Sequence, residues 1–122
     1  MARLATVGPD GAPHVVPITF ALDGDTLVTA VDAKPKRTSR LTRLTNLEAN
    51  PRASALVDHY DDDWELLWWA RADGVARIAA NGPDFDRVVD LLRTRYPQYA
   101  RVAIAGPALL IRVHRWTGWP TS

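Results

Sequence analysis

An Asp-Gly pair at residues 23–24 stands between two runs rich in β-branched and apolar residues, PHVVPITFAL (13–22) and DTLVTAV (25–31). Glycine tolerates the positive φ of a tight two-residue connection, so this stretch commits the chain to an antiparallel hairpin. A shorter run, RLATV (3–7), stops at GPDG (8–11), a second turn signal, and the first three strands are expected to form a meander. Pro17 has no N–H to give to a ladder and therefore puts an edge or a bulge in the second strand. Alternation sets His14, Val16, Ile18 and Phe20 on one face and Val15, Pro17, Thr19 and Ala21 on the other.

The period changes in VDAKPKRTSRLTR (31–43). Leu41, Leu44 and Leu47 recur every third residue, which predicts a helix, with Thr38 or Ser39 as N-cap and Asn50-Pro51 as the stop. Arg37, Arg40 and Arg43 share that spacing one position ahead, about 100° around the axis from the leucines. RASALVDHY (52–60) reads as a fourth strand and DDDWE (61–65) as a polar connection. LLWWARADGVARIA (66–79) is long for one straight strand, and Asp73-Gly74 marks a bend or bulge within it. GPDFDRVVDLLRTRY (82–96) is the clearest helix, with Pro83 at its start, Asp84 and Asp86 in its first turn, Arg93 and Arg95 in its last, and Pro97 beyond it. ALLIRVHRW (108–116) is the last strand. The reading is a mainly β chain with two helices, an antiparallel barrel of about six strands, closed or split.

A chain of 122 residues fits one domain, here 1–122, and can bury a sizeable core. It holds no Cys, which excludes a disulfide framework and thiolate metal sites and suits a reducing cytoplasm. No apolar run reaches the roughly 18 residues of a membrane span. With 15 Lys+Arg against 14 Asp+Glu the net charge is +1, too small for a surface that binds nucleic acid as a whole. Lys34, Lys36, Arg37, Arg40 and Arg43 are thus a local device, suited to a small anion. His14, His59 and His114 lack ligand-like spacing, and Asp61, Asp62 and Asp63 have no EF-hand pattern around them, so no metal site is expected. Neither G-x-S-x-G, nor a P-loop, nor G-x-G-x-x-G is present. No acid–base constellation emerges, and no catalytic side chain is assigned.

The order of four elements is more specific than any one of them: LATVGPDGAPHVVP in the first hairpin, the Lys/Arg-rich helix start, NPRASALV in the fourth strand, and the acidic DDDW before the fifth. In this combination the chain resembles the split β-barrel flavin and deazaflavin oxidoreductases of the pyridoxamine 5′-phosphate oxidase-like superfamily, and most of all their actinobacterial branch that uses coenzyme F420. The resemblance implies an FMN-binding split barrel of six strands that works as a homodimer, with the cofactor ring in a groove at the subunit interface. It implies that Lys36, Arg37, Arg40 and Arg43 hold the cofactor phosphate, guanidinium forks bidentately and Lys as a point charge. Thr19 and Thr29 become candidates for the polar edge of the ring, Trp64 and Trp68 for its faces, and Arg71 for the cofactor tail. The resemblance also implies a helix before the first strand, whereas this sequence starts at Met1 directly on that strand, so either the start is assigned late or the helix is missing. The activity implied is F420-dependent hydride transfer to or from a small molecule; the alternatives are an FMN oxidoreductase of the same fold and a non-catalytic F420 binder or carrier.

Overall fold

A computed structural model of the chain describes residues 1–31 and 37–120, and for residues 37–41 the backbone alone. Seven strands are present among these residues: β1 (Ala2–Val7), β2 (Pro13–Ile18), β3 (Ala21–Asp23), β4 (Thr26–Ala30), β5 (Arg52–His59), β6 (Trp68–Ala79) and β7 (Ala108–Trp119). Two α-helices, α1 (Arg37–Ala49) and α2 (Gly82–Arg95), interrupt them. All ladders are antiparallel, in the order β2-β1-β5-β6-β7-β4-β3.

Two expectations are corrected here, the meander of the first three strands and the count of about six strands. The second run breaks at Thr19-Phe20, so that β2 pairs with β1 and β3 pairs with β4. β2 and β3 are consecutive in the chain yet lie at opposite edges of one sheet. The sheet therefore curls until its edges are joined by that two-residue link, and it remains open, because no ladder joins β2 to β3. Pro17 sits in an edge strand, where its missing N–H leaves no gap in a ladder. The β3–β4 turn has Gly24 first, at φ 61°, as a two-residue connection of that hand requires.

One core fills the inside of the curl, with Leu4, Ile18, Leu27, Leu109, Ile111 and Val113 around the alanines of β5 and β6. α1 plugs this core through Leu47, with Leu44 beside it. Asn46, also buried, donates from Nδ2 to Thr6 Oγ1 at 3.1 Å, so its amide is satisfied where α1 meets β1. The second core lies outside the sheet, where Val88 and Leu92 of α2 cover Val28, Ala30, Ala108 and Leu110. β4 and the start of β7 are thus covered on both faces, which accounts for the unbroken apolar run ALLI. Pro83 and Pro97 bound α2 as anticipated, and Arg93 and Arg95 complement the negative end of its dipole.

Asp73-Gly74 is a register shift in the β6–β7 ladder. β7 runs three residues further than its sequence pattern indicates, because Thr117, Gly118 and Trp119 pair with Arg71, Ala70 and Trp69.

Candidate functional site

Strand alternation sends one set of side chains into the curl and the other outward. On the outward side the ladders align three cross-strand rows. Arg3, Leu56, Arg71 and Thr117 make one; Val15, Ala5, Ser54, Asp73 and Arg115 make the next; Asp58, Trp69 and Trp119 make the third. With the loop that follows β5, they enclose a groove of about 580 Å³. That size is in the range of small-molecule sites, roughly 300–1,000 Å³.

The walls of the groove are aromatic: Tyr60, Trp68, Trp69 and Trp119, with Leu67 beside them. His59 joins them, its ring lying against Trp68 at 6.3 Å between centroids and 20° between planes. Asp61 Oδ2 is 3.7 Å from His59 Nε2.

The strand residues beneath are polar and paired. Arg3 donates to Asp58 Oδ1 at 2.7 Å. Ser54 Oγ donates to Asp73 Oδ1 at 2.6 Å, and Arg71 Nε approaches the two oxygens of the same carboxylate at 3.2 and 3.3 Å. The Ser54 hydrogen bond, reinforced by the Arg71 charge, holds the Asp73 carboxyl below its usual pKa against the opposing effect of burial. The Arg71 guanidinium also lies 5.8 Å from the centre of the Trp69 ring. Thr117 Oγ1, on the same row, is buried and has no hydrogen-bond partner among the described residues. The groove is thus an aromatic slot over a charge-balanced floor, with guanidinium N–H groups of Arg71 at its edge. No group of three or more potential metal ligands occurs among the described residues.

Of the residues singled out in the sequence, Trp68 and Arg71 line the groove. Trp64 stands outside it, 73% exposed on the 3₁₀ turn Trp64–Leu66. Thr29 is buried and donates to the Thr19 carbonyl at 2.6 Å; the Thr19 hydroxyl shares a hydrogen bond of 2.6 Å with Tyr99. Both threonines thereby lock the β2–β3 link against the segment after α2, away from the groove. Arg43 is half-buried on α1 and does not line the groove. Arg37 and Arg40 belong to α1 but their side chains lie outside the described residues, as do Lys34 and Lys36 altogether. The sequence reading passed over Arg3, Ser54, Leu56, Asp58, Tyr60 and Trp119. One signal pointed to them: the outward positions of strands that should face water carry Val15, Leu56 and Trp69.

The model of the pyridoxamine 5′-phosphate oxidase family matches residues 1–120. The chain belongs to this family. Among curated proteins none matches the sequence. Solved structures resemble it over almost its whole length. A conserved hypothetical protein of Mycobacterium tuberculosis is 25% identical with a TM-score of 0.76, over 97% of this chain and 75% of that one. An FMN-binding protein of Syntrophomonas wolfei is 17% identical with a TM-score of 0.73, over 99% and 78%. A heme-binding protein of Mycobacterium smegmatis is 20% identical with a TM-score of 0.72, over 96% of this chain and 47% of that one. The pyridoxamine 5′-phosphate oxidase family thus supplies the split-barrel fold, and structures sharing that fold include both a flavin binder and a heme binder.

Proposed function

We propose that this chain is a homodimeric, cytoplasmic oxidoreductase that binds coenzyme F420, with FMN as the alternative cofactor, and transfers a hydride to or from a small molecule. The observation that carries the proposal is the aromatic groove with Arg71 at its edge. A planar conjugated ring suits such a slot: its faces meet Trp68, Trp69 and Trp119, and its polar edge meets Arg71. The anionic part of the cofactor is assigned to Lys36, Arg37, Arg40 and Arg43, on the strength of the family resemblance and of their charge.

When bound, the cofactor supplies the hydride chemistry. The chain's own residues bind, orient and exclude water. Arg71 is held by Asp73, and Asp73 by Ser54, so the guanidinium is fixed before a ligand arrives. The tryptophans displace water from both faces of a ring. The exposure of Val15 and Trp119 on the outward face of the sheet, 61% and 47%, supports the homodimer, because a second copy would cover that apolar area.

A second reading, a non-catalytic binder, is favoured by one observation. His59 lies at the groove wall, and neutral imidazole is a ligand for heme iron. Titration of the purified protein with F420, FMN and hemin, followed by Trp emission, tests the proposal. Saturable quenching by F420 at micromolar concentration, followed by oxidation of the reduced cofactor by an added acceptor, is expected. Binding of hemin alone would overturn it, and so would binding of F420 with no turnover of any acceptor tried.

A further inference from the structure

Adding a hydride to a polarised double bond leaves an electron pair on the far atom, and that atom must gain a proton. The oxidoreductase reading therefore calls for a proton donor at the groove, and few of its side chains can serve. Arg3 and Asp58 are paired with each other, and so are Arg71 and Asp73. Ser54 directs its hydroxyl hydrogen to Asp73, and that bond, with the Arg71 charge, keeps the Asp73 carboxyl ionised near neutrality. The Tyr60 phenol and the His59 imidazole are left. A phenol is by nature a far weaker acid than an imidazolium, with a pKa of about 10 against about 6.5.

His59 closes β5 and stands across the ladder from Trp68, the first residue of β6. Its stacking on Trp68 sets the plane of the ring at the groove wall. Asp61 Oδ2, 3.7 Å from Nε2, gives the protonated ring an ion-pair partner but is too far to take a hydrogen bond. Neither ring nitrogen is hydrogen-bonded to a described residue, so one is free to meet a ligand. The side chain is half-exposed, and water can restore a proton that it gives up. The charged and titratable groups around it are Asp61 and Tyr60 in the loop and Arg3, Asp58 and Arg71 along the groove.

We propose that His59 is the proton donor to the small-molecule substrate. The inference rests on the oxidoreductase reading above and supplies the residue that reading leaves unassigned. With a conjugated ketone in the groove, the hydride of the reduced cofactor goes to the β-carbon and the π electrons shift to the carbonyl oxygen. That oxygen then takes the proton of the imidazolium. The ketone is reduced by two electrons, the cofactor oxidised by two, and the imidazole is left neutral until water reprotonates it.

Two measurements on His59→Gln and His59→Asn test this beside the unaltered chain. The first is the reduction of cyclohexenone by reduced F420. For the unaltered chain kcat/KM should fall as pH rises across the imidazole range, about 5–8. Both variants should lose on the order of 100-fold at the acid end of that range, as for a missing general acid, and should show no such fall. Their thermal midpoints and their F420 affinity, followed by Trp emission, should stay as they were, because the side chain is half-exposed and makes no hydrogen bond within the chain. The second measurement needs no turnover. Para-nitrophenolate carries an oxyanion on a flat ring, as the reduced ketone does before it is protonated, and its visible absorbance reports binding to the F420-loaded chain near neutral pH. The variants should bind it about tenfold more weakly, the loss expected for a charge-assisted hydrogen bond.

An unaltered chain that fails to bind F420, or binds it and reduces no acceptor, overturns the oxidoreductase reading and this inference with it. Variants that match the unaltered chain in rate and pH profile, or that hold the phenolate as tightly, leave the oxidoreductase standing and overturn the role of His59. A loss of F420 affinity as large as the loss of rate would make His59 a cofactor contact and overturn it too.

Discussion

Gly74 on β6 lies so close to Arg112 on β7 that a Cβ at residue 74 would overlap the Arg112 carbonyl oxygen. The contact falls where the β6–β7 register shifts, between a half of β6 that lines the groove and a half that runs toward α2. Backbone atoms cannot yield as a side-chain tip can. Gly74→Ala should therefore destabilise the fold by about 1–3 kcal/mol, the cost of overpacking, read as a lower midpoint in urea.

Ser54→Ala tests the polar floor. Asp73 titrates below its usual range in the folded chain, so its contribution to stability is complete above the ordinary carboxylate pKa of about 3.9 and is lost as pH falls through the lowered value. Without the Ser54 hydroxyl that pKa rises. The variant should be less stable at pH 7 by on the order of 1 kcal/mol, and the gap should narrow in acid as Asp73 protonates in both proteins. Chemical denaturation at pH 7 and near pH 3 measures it; a gap that widens in acid would contradict the assignment.

In the groove, Trp68→Ala and Arg71→Ala should each weaken F420 binding by about 1 kcal/mol or more, and Trp68→Ala should also reduce the emission quenched by the cofactor. Trp64 is the contrast, because it projects from the turn beyond the lining. Equal losses at Trp64 and Trp68 would move the ring out of the groove.

Arg37→Ala and Arg40→Ala should lower F420 affinity by about 1.5–3 kcal/mol, the range for hydrogen bonds to a charged group, with thermal stability almost unchanged. Arg93 and Arg95, in the last turn of α2, are the controls and should leave affinity as it was. Undiminished binding in both variants would place the phosphate elsewhere.

Thr29→Val keeps the shape of a buried side chain and removes its donor to the Thr19 carbonyl. The fold should lose about 1–3 kcal/mol while cofactor affinity, measured under conditions where the variant is folded, stays the same. A selective loss of affinity would return Thr29 to the site.

What the sequence by itself determined is local. The Asp23-Gly24 turn, the limits of α2 between Pro83 and Pro97, the irregularity at Asp73-Gly74 and the family follow from residues whose backbone preferences act within a few positions. The tertiary structure alone decided three things. It split the second run at Thr19-Phe20, because one edge of the sheet takes β2 and the other takes β3. It turned Thr29 inward, because β4 is covered on both faces and alternation there carries no polar signal. It set Arg3 in one row with Leu56, Arg71 and Thr117 and placed Trp119 opposite Trp69, which is how the groove forms. Register between strands so far apart in the chain is fixed by packing on both faces of the sheet, and no local pattern encodes it.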